Sequence, residues 1–255
     1  MSRKKDRRHK AILDQLSVTP TMRVSRLAEV LEVTTETIRR DLEELAAQDL
    51  ISRTYGGAML RQPMEPVLSE RHKALVDERA AIGRAAVPLL SDARVLMLGS
   101  GATTTQLAKR IAFEMNNITV IAHSFSVATA LAFNPTIQIV MAPGVYHSGE
   151  GALHGAQTVR FLSDYSADWS VTGASAISPL GPSDALMEAG DVYATMLRQS
   201  ARHMVLADHS KFDRMATARY SDWTDVDVLV SDARPQGPLA RALQVAGVEL
   251  RLVSV

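Results

Sequence analysis

The chain reads as an α/β protein in two parts: an amino-terminal winged helix-turn-helix and a carboxy-terminal open, mostly parallel sheet with helices on both faces. Three observations predict it. Three short amphipathic helical patterns precede two β-rich runs around Gly56-Gly57, prolines at 63 and 66 then break the periodicity, and seven short apolar runs alternate with helical stretches after Arg94. With 255 residues and 46% hydrophobic content, the length suits one large or two modest domains with a substantial core.

Taken in order, Ile12, Leu13 and Leu16 mark the first helix, and Val24, Leu27, Ala28 and Leu31 mark the second at i, i+3, i+4, i+7. In the third, Thr34 is a good N-cap and Ile38, Leu42 and Leu45 share one buried face. The runs on either side of Gly56-Gly57, between Leu50 and Leu60, form the wing, since a glycine pair accepts positive φ. Arg61-Gln62-Pro63-Met64-Glu65-Pro66 is the expected linker. A long helical stretch from Leu68 to Leu90 follows. The strands expected next are Val95–Leu98, Ile118–Ala122, Ile137–Met141, Trp169–Val171, Met204–Ala207, Val226–Val230 and Val248–Val253. The expected division is therefore residues 1–62, a linker and connecting helix over 63–93, and a sheet domain over 94–255.

Charge points to what the first part does. Residues 1–62 hold 12 Lys/Arg against 9 Asp/Glu, net +3, while residues 63–255 hold 16 against 19, net −3. Six of the cations lie in the first ten residues, where a flexible arm could contact phosphates. On the third helix, Thr34, Thr35, Glu36, Thr37, Arg39 and Arg40 lie at the start or off the apolar face. Small hydroxyls and guanidinium groups there suit base edges and phosphates of double-stranded DNA. Arg53 lies on the wing beside the DNA backbone and Tyr55 at its tip. Alternatively, either arginine pairs with Asp41, Glu43 or Glu44 and serves structure only.

The sheet domain carries a second chemistry. Its first strand runs into Gly99-Ser100-Gly101-Ala102-Thr103-Thr104-Thr105, where glycines, hydroxyls and a helix N-terminus make a phosphate cradle. It lacks the Gly-Lys-Ser/Thr ending of a nucleotide loop, so ATP hydrolysis is not expected. Asp208 and Lys211, just past a later strand, suit a sugar hydroxyl and an anion, or hold each other. Cysteine is absent, which fits a reducing cytoplasm, and neither a signal peptide nor a membrane span is read. His147, Glu150 and His154 lack the spacing that presents metal ligands on one helix face, so no metal or cofactor is expected.

Leu27-Ala28, Val33, Thr37-Ile38-Arg39-Arg40-Asp41-Leu42, Arg53 and Gly56-Gly57-Ala58 resemble the DeoR/GlpR family of bacterial transcriptional repressors. The cradle, the strand-end run Ala167 to Ser175 with Asp168, and Asp208 with Lys211 extend the resemblance to that family's sensor domain, which is similar in fold to ribose-phosphate isomerases. The resemblance implies an operator-binding homo-oligomer, dimer or tetramer, with a phosphorylated sugar or sugar derivative as effector. It also implies that His123 and Ser124, where Asn-Ser is usual, and Tyr193, where a lysine is common, line the effector site. Asp49 and Tyr55 replace a usual glycine and histidine, and Ala102 a frequent glycine. The competing reading is a sugar-phosphate isomerase with Glu188, Asp191 or Asp168 as base. Against it, the glycine-flanked lysine motif of those enzymes does not appear.

Overall fold

The computed structural model describes residues 3–19, 21–47, 50–60 and 66–254. The chain divides into two compact units, Met1–Met64 and Glu65–Val255. Asp49 and the linker residues 61–65 lie outside the described residues.

In the first unit, α1 (Arg3–Val18), α2 (Val24–Val30) and α3 (Thr35–Ala47) pack around Ile12, Leu16, Leu27, Ile38, Leu42 and Leu45. An antiparallel sheet of β1 (Thr21–Arg23), β3 (Gly57–Leu60) and β2 (Ile51–Thr54), in that order, closes the core with Ile51 and Ala58. The short β1 was not anticipated; its burial alternates over only three residues. The turn between β2 and β3 places Gly56 at φ 79, a conformation that costs glycine little.

The expected basic arm is instead ordered helix. Arg8 donates from Nε and Nη2 to the buried carboxylate of Asp41 on α3, His9 contacts the same group at 3.1 Å, and Lys5 pairs with Glu44. Acids of α3 thus pin α1 down.

In the second unit α4 (Leu68–Arg71) and α5 (Val76–Ala86) lead through a 3-10 turn into the sheet. The expected continuous helix is broken at Leu75, which has φ 51. Arg79 Nη1 donates to the carbonyls of Arg71 and Ala74, acceptors that a continuing helix would have used for its own amides.

Seven parallel strands follow, all at the places expected: β4 (Val95–Leu98), β5 (Thr119–Ala122), β6 (Gln138–Met141), β9 (Ala167–Gly173), β12 (Ser200–Leu206), β14 (Val228–Ser231) and β15 (Glu249–Leu252). Between them come α6 (Ala102–Glu114), α7 (Phe125–Leu131), α8 (Ala156–Ser163), α9 (Met187–Arg198) and α10 (Gly237–Ala246). Alternate residues face opposite layers: Leu96 and Leu98 join the core under α5, α6 and α7, while Met97 joins the core under α8 and α9. Val205 and Leu229 pack against Leu239 and Leu243 of α10.

The spatial order is β15-β14-β12-β9-β4-β5-β6. The chain winds outward from β4 to β6, then crosses to β9 and winds the other way. The crevice between the carboxyl ends of β4 and β9 is the topological switch point, where open α/β sheets bind ligands. Smaller pieces surround it: a hairpin of β7 (Val145–His147) and β8 (Ala152–His154), and a sheet of β10 (Ala176–Ser178), β11 (Gly181–Asp184) and β13 (Ala218–Arg219). Among the described residues no helix is long and apolar enough to cross a membrane.

Candidate functional site

Two surfaces carry the candidate chemistry, one in each unit. On α3, Thr34 caps the helix: its Oγ1 accepts the Thr37 N–H at 3.2 Å and lies 2.8 Å from Thr37 Oγ1. Thr35, Glu36, Arg39 and Arg40 are exposed. The arginines do not pair with Asp41, which is committed to α1. They lie 3.9 and 3.4 Å from Glu36, on side chains 60% or more exposed, so these pairs contribute little and exchange readily. Arg53 of β2 donates to the carbonyl of Arg39 at 3.3 Å, tying wing to helix. Tyr55 stands fully exposed at the wing tip. The surface is a helix end with hydroxyls and two guanidinium groups beside a wing, which suits a groove flanked by phosphates.

The second surface is a small pocket at the switch point, lined by Arg71, Arg79, Ser100, Gly101, Ala102, Thr103, Gly173, Ala174, Asp184, Tyr193 and Lys211. Gly101, at φ 133, turns the chain from β4 into α6. The first helical bond runs from the Thr105 N–H to the Gly101 carbonyl, so the amides of Ala102, Thr103 and Thr104 have no partner within the helix. Anions bind well there. Of the three threonines only Thr103 lines the cavity; Thr104 and Thr105 donate their hydroxyls to the Gly101 carbonyl at 3.0 and 2.7 Å and build the turn.

Several expected contacts stand behind the wall instead. His123 Nε2 accepts the Ser100 N–H at 3.2 Å and Nδ1 donates to the Leu153 carbonyl at 2.9 Å, which fixes a neutral tautomer. Burial, reinforced by His154, lowers its pKa to about 3. His123 therefore positions Ser100 and also occupies the Ser100 amide. Ser124 is wholly buried and its hydroxyl has no protein partner. Neither residue lines the cavity.

Asp168 is a clear correction. It sits at the opening of β9, at the opposite end of the sheet from the cradle, and its carboxylate accepts the N–H groups of Arg94 and Val95 at 2.7 and 2.9 Å. It caps the start of β4. Pairing Trp169 with Leu96 forces this placement, because the residue before Trp169 cannot reach the carboxyl end.

Tyr193 does line the cavity. Its hydroxyl donates to the Ser100 carbonyl at 3.0 Å, so the Ser100 hydroxyl, 2.9 Å away, donates in return. Gly173 is held similarly: Tyr220 donates to its carbonyl at 2.7 Å, and Thr172 and His203 continue the buried polar chain.

Asp208 is fully buried and pairs with Arg79 Nε at 3.0 Å rather than waiting for a ligand. Burial opposes its charge, but hydrogen bonds from Ser210 and the charges of Arg79 and Lys211 prevail and keep its pKa below the usual aspartate range. Arg71 pairs with Glu150. Sequence reasoning missed both arginines. Arg79 had a signal: it shares the stripe of Ile82, Gly83 and Ala86, where a buried charge demands a partner. Among the described residues, no group of three or more His, Asp or Glu is arranged to hold a metal ion.

Comparison with known proteins finds one family domain in each unit. Residues 8–63 match the DeoR-like helix-turn-helix domain and residues 75–233 the DeoR C terminal sensor domain. The HTH-type transcriptional repressor GlcR of Bacillus subtilis is 31% identical over 242 residues, covering 94% of this chain and 93% of its own. The glycerol-3-phosphate regulon repressor of Escherichia coli is 28% identical over 255 residues, covering 98% and 99%. Ribose 5-phosphate isomerase A from Methanocaldococcus jannaschii overlaps 54% of each chain at 19% identity with a TM-score of 0.36, too slight a likeness to carry function. The relatives matched along nearly their whole length are regulators, not enzymes. With one family domain in each unit, the chain belongs to the DeoR family of helix-turn-helix transcriptional regulators.

Proposed function

We propose that the protein represses a sugar or polyol catabolic operon and leaves its operator when a phosphorylated sugar binds the cavity. One observation carries the reading: three cations, Arg71, Arg79 and Lys211, converge on the open N-terminus of α6 at the switch point. That is a site for a phosphate group, in a chain whose other unit reads DNA. The name of the Escherichia coli relative, a glycerol-3-phosphate regulon repressor, supports the same ligand class.

Thr34, Thr35, Glu36, Thr37, Arg39, Arg40, Arg53 and Tyr55 face the operator. Gly101, Ala102, Thr103, Lys211 and the two arginines hold the phosphate, while Ser100 and Tyr193 meet the sugar. The DNA-reading part spans residues 1–62, the connector 63–93 and the sensor 94–255, although Arg71 and Arg79 give the connector a share in the site. The regulator works in the cytoplasm as a dimer or tetramer, so that two helices α3 engage a repeated operator.

The tie between ligand and DNA runs through residues 66–75, where the second unit begins. Arg79 holds the Arg71 and Ala74 carbonyls, and Glu150 holds the Arg71 side chain. An anion that draws either guanidinium shifts the segment joined to the linker. Coupling of about 1–3 kcal/mol is the usual scale for such a link. The reading is tested by thermal shift with a panel of sugar phosphates on wild type and Lys211→Ala. A true effector raises the melting temperature of the first much more than that of the second. If no phosphorylated sugar stabilises the wild type, the reading fails.

A further inference from the structure

At the carboxyl ends of β4 and β9 the sheet parts at one identifiable rung. The last regular rung runs from the Gly99 N–H to the Val171 carbonyl at 2.9 Å. In a parallel ladder the next, two residues on in each strand, would join the Gly101 N–H to the Gly173 carbonyl. That carbonyl is taken instead by the hydroxyl of Tyr220, which follows β13 and donates to it at 2.7 Å. Thr172 lies 3.1 Å from the Tyr220 oxygen, and because the phenol proton is committed to Gly173, Thr172 is the donor there. Tyr220 is buried and is not among the residues lining the pocket.

The peptide between Ser100 and Gly101 is turned over relative to the ladder. A Cβ on Gly173 would lie 3.7 Å from the Ser100 carbonyl oxygen, so this oxygen, and not the Gly101 N–H, faces β9. The peptide is trans, which points the N–H the other way. Tyr193 donates to the inverted carbonyl at 3.0 Å. Its ring fits closely over the strand end, where a Cβ on Gly99 would come within 2.9 Å of it, and meets the Tyr220 ring edge to face with centroids 5.2 Å apart. The two phenols thus satisfy the two carbonyl oxygens that stand where β4 and β9 separate.

We propose that Tyr220 is a positioning residue for the phosphate group: by occupying the Gly173 carbonyl it keeps that carbonyl from recapturing the Gly101 N–H, and so adds this amide to those of Ala102, Thr103 and Thr104 at the open start of α6. The proposal rests on the phosphate reading above. Tyr220 acts through the backbone and touches no ligand, while Tyr193 restrains the same peptide from its other end.

Two readouts on the full chain test it: exchange of the Gly101 amide with solvent, followed by NMR on glycine-labelled protein, and affinity for inorganic phosphate, measured by calorimetry. Tyr220→Phe keeps the ring and removes the hydroxyl. Exchange at Gly101 then slows several-fold as the rung to Gly173 forms, and phosphate binds about fivefold more weakly. In Tyr193→Phe with Tyr220→Phe nothing holds the Ser100 carbonyl, and exchange slows further. Gly101 exchange unchanged in both variants overturns the role of Tyr220, even if phosphate binding weakens, because a general loosening would do as much. Slower exchange with unaltered phosphate affinity overturns it too, since the amide would then lie outside the site. Wild type that binds neither inorganic phosphate nor any phosphorylated sugar overturns the phosphate reading itself, and this proposal with it.

Discussion

Removing the Asp208 carboxylate should expose how much of the second unit's stability depends on one buried ion pair. Asp208 is wholly buried, Arg79 is 5% exposed, and their atoms meet at 3.0 Å. In Asp208→Ala the guanidinium keeps its bonds to the Arg71 and Ala74 carbonyls but loses its counter-charge, and Ser210 loses its acceptor. Leaving such a charge buried costs about 3–5 kcal/mol. At about 2–4 °C per kcal/mol for a unit of this size, the melting temperature falls by roughly 6–20 °C. Both tryptophans, Trp169 and Trp223, lie in this unit, so their fluorescence follows its unfolding in urea.

The double variant Arg79→Met with Asp208→Leu has no stranded charge, and its loss should be smaller than the sum of the single losses by about 0.5–3 kcal/mol. The pair also sets a pH dependence. Because the folded-state pKa of Asp208 is lowered, its contribution is full above the ordinary aspartate range and is lost as pH falls through the folded value. A loss below about 1 kcal/mol in Asp208→Ala, or strict additivity in the double variant, would refute the reasoning.

Other consequences are equally measurable. Arg39→Ala with Arg40→Ala should weaken operator binding by about 1–3 kcal/mol per lost contact while leaving thermal stability nearly unchanged, as both side chains are exposed. Tyr193→Phe removes a donor to the Ser100 carbonyl and should cost about 1–3 kcal/mol in urea unfolding, together with some effector affinity. Asp41→Ala frees Arg8 and His9 and should loosen α1, seen as faster amide exchange in residues 5–16 with the second unit unaffected. His123, His154 and His203 have pKa values lowered by burial to about 3, 4 and 3. The unfolded chain therefore binds protons that the folded chain refuses, and stability drops as pH falls below about 6.5, by up to about 1.4 kcal/mol per pH unit for each histidine. His203→Gln should flatten that slope.

The parts of this molecule readable from sequence are those set by local periodicity. All seven strands of the sheet were visible because buried parallel strands are continuous apolar runs, and α3 because Ile38, Leu42 and Leu45 repeat at helical spacing. What escaped depends on partners distant in the chain. Nothing local says that Asp41 would be taken by Arg8, or that Asp208 would be taken by Arg79, which is 129 residues away. Asp168 was misplaced by one short step: the end of a strand that a residue occupies decides whether it meets a ligand or caps a neighbouring strand. His123 lies close to the site, as the family pattern implied, but its ring turns to the Ser100 amide instead of the cavity. Asp184 gave no signal, because a three-stranded sheet assembled from residues 176–219 brings it to the wall.

The central claim is that one chain links DNA reading to phosphate sensing. Fluorescence anisotropy of a labelled operator, selected from random duplexes by the full chain, measures this directly when titrated with singly phosphorylated sugars at fixed salt. The account predicts that at least one such sugar releases wild-type protein from the DNA, and that Lys211→Ala binds the same DNA but needs about tenfold more ligand for release. DNA binding that ignores every phosphorylated sugar, or release that is identical in Lys211→Ala, would contradict it.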